Sequence, residues 1–273
     1  MKKSILIITV LLSVLLLFAA CTSDAEETSG DNGDVKKVLT IGVDDTYPPM
    51  EYRDENNELV GFDVALAKAI GEKLDMEVKF ISTGWDGIFS GLKTENYDAI
   101  ISSVSITPLR LKEFDFSDAY LSNGQVIVVK PGDTSVTKPE DLAGKNVGVQ
   151  IETTADVAAQ KYKEENDFEI IRYDEIIQTF NAMKAGHVDY IVVDYPVAIE
   201  YVKNDVSSFE ISTAQLTNEP IGVCLRKGDK ELQEKINGAL EELRADGTLK
   251  AISEEWLGSD YTTDIDLELN VIE

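Results

Sequence analysis

The feature that most constrains this chain is the stretch 97–110, which reads YDAIISSVSITPLR. The apolar run at 99–101 is typical of a short strand buried on both faces of a sheet, and three serines, a threonine and Arg110 follow within nine residues. In open α/β sheets, ligands bind just beyond the carboxyl ends of strands. Because arginine binds a carboxylate through two parallel hydrogen bonds and serine hydroxyls donate further ones, the stretch predicts a site for a small acidic group. The alternative is a solvated loop whose arginine pairs with a surface acid.

The composition is that of a globular protein and excludes one class of partner. The 273 residues are 43% apolar and 28% charged, which is enough for one large domain or two smaller ones. The chain has 25 basic and 51 acidic residues, a formal net charge of −26. A field of that sign repels nucleic acid, so nucleic-acid binding is excluded. Since the acids are spread along the whole chain, we interpret the charge as a solubility feature.

The N-terminus has the pattern of an export signal. Two lysines precede an apolar segment at 5–20, and Cys21 follows directly. A basic start, a short apolar segment and small residues at the end are typical of a secretory signal peptide, and sixteen residues barely span a bilayer core of roughly 30 Å. The segment 17–21 resembles a bacterial lipoprotein signal, although Phe18 stands where leucine is usual. The resemblance implies cleavage before Cys21, a lipid (palmitate) anchor on that cysteine and localisation at the outer face of the cell membrane.

Other predicted strands also end in polar residues. The apolar strand at 38–43 is followed by Asp44, and another strand ends at Asp194. A third, at 146–150, leads into a helix start at Thr153, and a free helix N-terminus favours an anion because its backbone N–H groups point outward. Each half of the chain therefore combines helices with apolar strands that have polar ends, which predicts two similar α/β lobes facing each other.

These motifs resemble those of the extracytoplasmic solute-binding proteins of amino-acid ABC transporters over about residues 37–258. The motifs that carry the resemblance are GFD at 61–63, YDAI at 97–100, SSVSIT at 102–107 with Arg110, VGVQ at 147–150, TT at 153–154, VD at 188–189 with Asp194, and DGT at 246–248. The resemblance implies a two-lobed, periplasmic-binding-protein-like α/β fold. Two hinge strands join the lobes in this fold, and the ligand is trapped in the cleft by hinge closure.

The resemblance also divides the chain. The implied parts are a lipoprotein signal peptide (1–20), a lipidated cysteine with a flexible tether (21–36), a first lobe (37–127 with 223–258), a second lobe (128–222) and an acidic tail (259–273). We expect the hinges near 126–130 and 219–224. The acidic tail is expected to pack loosely against the rest.

A role for each candidate ligand-binding residue follows from the same resemblance. Arg110 corresponds to the residue that binds the α-carboxylate, with a further donor at Thr154, and Asp194 to the residue that binds the α-ammonium group. The remaining candidates are Ser103 and Ser105 beside that acid, Tyr47 and Trp85 around the ligand side chain, Asp44, Ser102 and Gln150 at its tip, and Glu152 and Thr153 at the start of the helix that follows. For Trp85, packing in the core is an equally open interpretation.

The implied function is binding of a free L-amino acid outside the membrane and its delivery to an ABC permease by a monomer. Glu152 stands where the family commonly has glycine. With Asp44 and two aromatic rings it favours arginine or lysine through charge pairing and cation–π contact, while glutamine and cystine remain open. No cofactor or metal is expected, since the single histidine, His187, lies in a predicted turn.

Three other functions are compatible with the sequence. One is a dehydratase acting on cyclohexadienyl acids, which shares this fold and would use the cleft carboxylates as acid or base. We expect no enzyme activity, because these acids have the pattern of charge partners for an amino acid. The others are a ligand-sensing module that signals through a membrane partner, and a surface antigen or adhesin with a relict cleft.

Overall fold

A computed structural model describes residues 36–268, and within this range the chain forms two five-stranded sheets, one small sheet and flanking helices. The strands are β1 (Lys37–Val43), β2 (Thr46–Tyr47), β3 (Glu51–Arg53), β4 (Leu59–Val60), β5 (Met76–Ser82), β6 (Ala99–Ile100), β7 (Phe114–Phe116), β8 (Gln125–Val129), β9 (Asn146–Gln150), β10 (Glu169–Tyr173), β11 (Tyr190–Asp194), β12 (Glu210–Gln215) and β13 (Cys224–Arg226). The helices are α1 (Phe62–Lys73), α2 (Trp85–Lys93), α3 (Pro108–Glu113), α4 (Thr154–Glu165), α5 (Ile176–Ala185), α6 (Tyr195–Asn204), α7 (Lys230–Ala245) and α8 (Thr248–Leu257), with a 3₁₀ turn at Pro139–Leu142.

Each large sheet is the centre of one lobe. The first has the strand order β5-β1-β6-β13-β7, with β5, β1 and β6 parallel. The second has the order β10-β9-β11-β8-β12, with β10, β9 and β11 parallel. The small sheet β2-β3-β4 is antiparallel. The predicted pair of α/β lobes is confirmed, and the parallel strands place the polar ends of β1, β6, β9 and β11 at sheet edges where ligands bind.

Helices cover the first sheet through apolar stripes that repeat every three to four residues. Helix α1 buries Phe62, Leu66 and Ile70, and α7 buries Ile236 and Leu240. This spacing places the buried side chains on one face of each helix, as the sequence pattern predicts. Cys224 in β13 is a buried free thiol, and burial raises its pKa to about 12. We therefore regard it as a core residue without reactivity.

The chain crosses between the two large sheets twice, after β7 and after β12. The first crossing lies at 117–124, whereas the predicted hinge at 126–130 falls inside β8 of the second sheet. The predicted lobe boundary was therefore too late in the chain. The apolar run that starts at 126 belongs to a strand of the second lobe, and nothing in it indicates that the chain has already crossed. The two crossings lie side by side, since Leu121 forms a β-bridge with Ile221 and the N–H of Glu219 donates to the carbonyl of Asn123 at 2.9 Å.

The acidic tail packs in a defined way as far as residue 268, which corrects the expectation of loose packing. The N–H of Ser122 donates to the carbonyl of Tyr261 at 2.8 Å, and Asn218 Nδ2 donates to the carbonyl of Glu268 at 2.8 Å. The ring of Tyr261 also contacts Tyr195 edge-on, at 6.1 Å between centroids. The tail therefore contacts both crossings. An aromatic residue in an otherwise acidic segment was the signal for this packing.

Within the range 36–268, no helix combines the length and the apolar character that a membrane span requires. The predicted signal peptide, Cys21 and the tether to residue 35 lie outside the described residues.

Candidate functional site

A small cavity lies between the two lobes and is lined by polar and aromatic side chains. The first lobe lines it with Asp44, Tyr47, Glu51, Trp85, Ser102, Ser103 and Arg110, and the second with Gln125, Gln150, Thr153, Thr154, Ala155 and Asp194. Four of these residues end central strands or follow them within two residues, namely Asp44 after β1, Ser102 after β6, Gln150 in β9 and Asp194 in β11. The cavity thus lies at the carboxyl edges of both sheets.

Ten of the twelve predicted ligand-binding residues line this cavity, and the other two lie outside it. Ser105 is buried at its rim, with Oγ 3.4 Å from Thr154 Oγ1. Glu152 has an exposed side chain and a left-handed backbone with φ of 60°. Its backbone carbonyl accepts Trp85 Nε1 at 3.1 Å, and its N–H donates to Asp156 Oδ2 at 3.2 Å. The turn after β9 directs the Glu152 carboxylate to the surface. The prediction that Glu152 joins Asp44 in the cavity is therefore wrong.

Arg110 lies at one end of the cavity with no acidic partner. It belongs to α3, whose N-cap Thr107 accepts the N–H of Arg110 at 3.1 Å. Its guanidinium donates to the carbonyl of Ser105 at 2.9 Å and lies over the rings of Trp85 and Phe89, 5.5 and 5.0 Å from their centroids. No acid among residues 36–268 forms an ion pair with it, although three of the other arginines pair with aspartates. Burial lowers the pKa of Arg110, so an anion in the cavity would stabilise its charge.

The N-terminus of α4 faces the same cavity. Thr153 is the N-cap, and its hydroxyl accepts the N–H of Asp156 at 3.3 Å, as the capping pattern in the sequence predicts. Thr154 begins the helix and accepts Gln125 Nε2 at 3.1 Å. The free N–H groups of a helix start attract negative charge. Together with Arg110, this end of the cavity is suited to a carboxylate.

Asp194 is the buried acid that the second lobe contributes to the cavity lining. Its Oδ1 accepts Asn123 Nδ2 at 2.7 Å and Gln125 Nε2 at 2.6 Å, and its Oδ2 accepts the hydroxyl of Tyr47 at 2.8 Å. All three donors are neutral. Burial and the nearby charge of Glu219 raise the pKa of Asp194 to about 6. A buried carboxylate that lacks a cation is a site for an ammonium group.

The remaining wall combines acids with aromatic rings. Asp44 is buried and accepts Thr46 Oγ1 at 2.7 Å and Gln150 Nε2 at 2.9 Å, and burial raises its pKa. Glu51 is fully buried and accepts Ser102 Oγ at 2.6 Å. The side chains of Tyr47 and Trp85 are also buried here. Sequence reasoning missed Glu51, which lies in a strand of three residues, and the only signal was an acid within an otherwise apolar and aromatic segment.

Besides the 3.4 Å contact between Ser105 Oγ and Thr154 Oγ1, three hydrogen bonds between the lobes use residues of the cavity. Tyr47 donates to Asp194, Gln150 donates to Asp44, and Trp85 donates to the carbonyl of Glu152. In each pair one residue belongs to the first lobe and the other to the second. Closure of the cleft and the shape of the cavity therefore depend on the same side chains.

Comparison with known proteins agrees with this geometry. The model of the family described as bacterial extracellular solute-binding proteins, family 3, matches residues 39–259. This chain belongs to that family. The resemblance stated from the motifs and the two-lobed periplasmic-binding-protein-like fold are thereby confirmed, and this family 3 solute-binding protein is extracytoplasmic.

The relatives of this family 3 protein are amino-acid-binding proteins. ABC transporter arginine-binding protein 1 of Escherichia coli K12 is 36% identical over 224 residues, 80% of this chain and 90% of the relative. The L-cystine-binding protein TcyJ of the same organism is 32% identical over 238 residues, 85% of this chain and 89% of the relative. A solved structure described as an ancestral arginine-binding protein bound to arginine has a TM-score of 0.78 and 41% identity, and covers 81% of this chain and 98% of that one.

The buried acids predict an unusual pH dependence of stability. The pKa of Asp63 and of Asp194 is about 6 in the folded protein, above the ordinary 3.8. The folded state therefore binds more protons between these values, and the ligand-free protein gains stability as the pH falls from 7.5 to 5, by about 1.4 kcal/mol for each acid. We expect its unfolding temperature to rise over this interval. Thermal unfolding at several pH values tests this, and a flat or falling profile contradicts it.

Proposed function

We propose that this protein binds a free L-amino acid in the cavity between its lobes. The α-carboxylate contacts Arg110 and the N-terminus of α4, and the α-ammonium group contacts Asp194. The observation that carries the proposal is that, among residues 36–268, the arginine of this cavity has no acid partner and its buried aspartate has no cation. An unpaired buried charge costs several kcal/mol, and a bound zwitterion pairs the charges of Arg110 and Asp194 at the same time.

The side chain of this amino acid is cationic in our proposal, with arginine or lysine as the candidates. Besides Asp194, the cavity has two buried carboxyl groups, Asp44 and Glu51, against the single cation of Arg110. The rings of Tyr47 and Trp85 can hold a guanidinium or ammonium group through cation–π contact. The arginine named in two of the relatives supports this choice.

Transport follows from the same proposal. Closure of the lobes over the amino acid presents the loaded form to the permease of an ABC transporter. The predicted lipid at Cys21 holds the protein at the outer face of the cell membrane, and residues 22–36 serve as a tether of roughly 20 Å.

Thermal unfolding of residues 22–273 against a panel of amino acids tests the proposal. A ligand at a hundredfold over its Kd adds roughly 2.7 kcal/mol to the free energy of unfolding. For a domain of this size, we expect the unfolding temperature to rise by about 5–10 °C with L-arginine or L-lysine. If the unfolding temperature rises with a neutral or acidic amino acid instead, the protein binds amino acids but does not prefer cationic ones. No rise with any member of the panel contradicts the proposed function.

A further inference from the structure

Glu51 and Asp63 form a buried pair of carboxyl groups in the first lobe. Both side chains are fully buried, and two consecutive residues hold them, since Ser102 Oγ donates to Glu51 and the N–H of Ser103 donates to Asp63. Glu51 lines the cavity, whereas Asp63 lies behind it in the first turn of α1. Two neighbouring buried carboxylates repel each other, and one proton shared by the pair removes this repulsion.

The other hydrogen bonds place this proton on Glu51. Asp63 accepts the hydroxyl of Tyr120 at 2.8 Å on Oδ1 and the N–H of Ser103 at 2.6 Å on Oδ2, so both oxygens already act as acceptors. Glu51 Oε1 accepts Ser102 Oγ at 2.6 Å. Glu51 Oε2 is buried and receives no hydrogen bond from a donor group in the described part of the chain. Oε2 is therefore the oxygen that is free to carry the proton.

The surroundings of Glu51 keep this proton in place. Asp63 on α1, Asp44 after β1 and Asp194 of the second lobe contribute negative charge to the pair, and the hydroxyls of Tyr47 and Tyr120 are neutral. Arg110, the positive group that lines the same cavity, forms no ion pair with either carboxyl, and its guanidinium donates to the carbonyl of Ser105 instead. Burial and the charge of Asp63 raise the pKa of Glu51 well above its ordinary value. Only a cation delivered by the ligand can change this balance.

We propose that the protonation of Glu51 adapts the cavity to the charge of the ligand side chain. Glu51 is a neutral acid in the ligand-free protein and beside an uncharged side chain. When a guanidinium or ammonium group enters, the O–H bond of Glu51 breaks, its proton passes to the solvent, and the new carboxylate pairs with the cation. Binding of a cationic amino acid is therefore coupled to release of about one proton. This inference rests on the proposed function and specifies how the site accommodates charge.

Calorimetric titration at pH 7.0 in buffers of different ionisation enthalpy measures this release. We expect L-arginine to release close to one proton per molecule bound. L-citrulline has the same shape without the charge and should release only the small amount that comes from Asp194, which any amino acid displaces. Release of less than half a proton with L-arginine overturns the inference and leaves amino-acid binding intact. If no amino acid gives binding heat, the proposed function is contradicted, and so is the inference that rests on it.

Glu51→Gln provides a second readout, because glutamine keeps the shape and cannot ionise. We expect the variant to release no excess proton with L-arginine and to bind it at least tenfold more weakly, with little change for L-citrulline. If the variant does not fold, the unmodified protein still decides the question. Its affinity for L-arginine should rise between pH 6 and 8 while its affinity for L-citrulline stays nearly constant. Parallel pH profiles for the two ligands overturn the inference.

Discussion

Arg110→Ala is expected to remove amino-acid binding while the ligand-free protein stays folded. Loss of one partner of a buried, hydrogen-bonded charge pair costs 2–5 kcal/mol or more, which is a loss of affinity between about 30-fold and several thousand-fold. Folding should be affected little, because no acid among the described residues pairs with Arg110 and burial already lowers its pKa. Equilibrium titration with L-arginine measures the first effect, and thermal unfolding without ligand measures the second.

Two variants serve as controls for this prediction. Arg110→Lys keeps the charge but loses the two parallel hydrogen bonds, so its affinity should lie between those of the unmodified protein and Arg110→Ala. Arg244→Ala removes an exposed arginine of α7, which donates to the carbonyl of Ala119, and should leave the affinity unchanged. Equal affinities of Arg110→Ala and the unmodified protein would mean that the carboxylate binds elsewhere.

Asp194→Asn is expected to change binding and stability in opposite directions. Loss of the partner of the α-ammonium group costs about 2–5 kcal/mol of binding free energy. The ligand-free protein should become more stable at pH 7.5, because the acid has a pKa of about 6 when folded and 3.8 ordinarily, a penalty of at most about 3 kcal/mol that asparagine does not carry. Since Asn123, Gln125 and Tyr47 are its neutral neighbours, asparagine can keep hydrogen bonds to them.

Thermal unfolding at pH 7.5 with and without L-arginine measures both effects of Asp194→Asn. We expect a higher unfolding temperature without ligand and a much smaller rise when ligand is added. Asp205→Asn is the matched control, since Asp205 is paired with Lys184 at the surface and this pair lowers its pKa. The control should lose a little stability and keep its affinity. A ligand-free Asp194→Asn protein that is less stable than the unmodified one contradicts this prediction.

The sequence predicted the fold well because its main signals are local. Apolar runs that end abruptly in polar residues mark β1, β6, β9 and β11, and the parallel arrangement brings their ends to one edge of each sheet. The same logic predicted Asp44, Ser102 and Asp194, which all line the cavity. The end of a strand depends on a short segment of the chain, so it can be predicted from a single sequence.

Residues whose position depends on tertiary packing were missed or placed wrongly. Glu51 lies in a three-residue strand, and Gln125 begins a strand that otherwise continues as an apolar run. Neither has a local pattern that distinguishes a cavity residue from a surface one. Glu152 was expected in the cavity, but its left-handed backbone turns the side chain to the surface, and the glycine that the family commonly has at this position was the signal for that turn. The tail was misjudged because its contacts are with residues distant in sequence, such as Ser122 and Asn218.

Equilibrium dialysis with labelled L-arginine, competed by agmatine, tests the central claim most directly. Agmatine keeps the guanidinium group and lacks the α-carboxylate that we assign to Arg110 and the start of α4. We predict one bound L-arginine per protein molecule and competition by agmatine that is at least about 30-fold weaker, since loss of a charge-paired group costs about 2–5 kcal/mol. Equal competition by agmatine, or no binding of L-arginine or of any other amino acid, would contradict the account of this cavity as an amino-acid site.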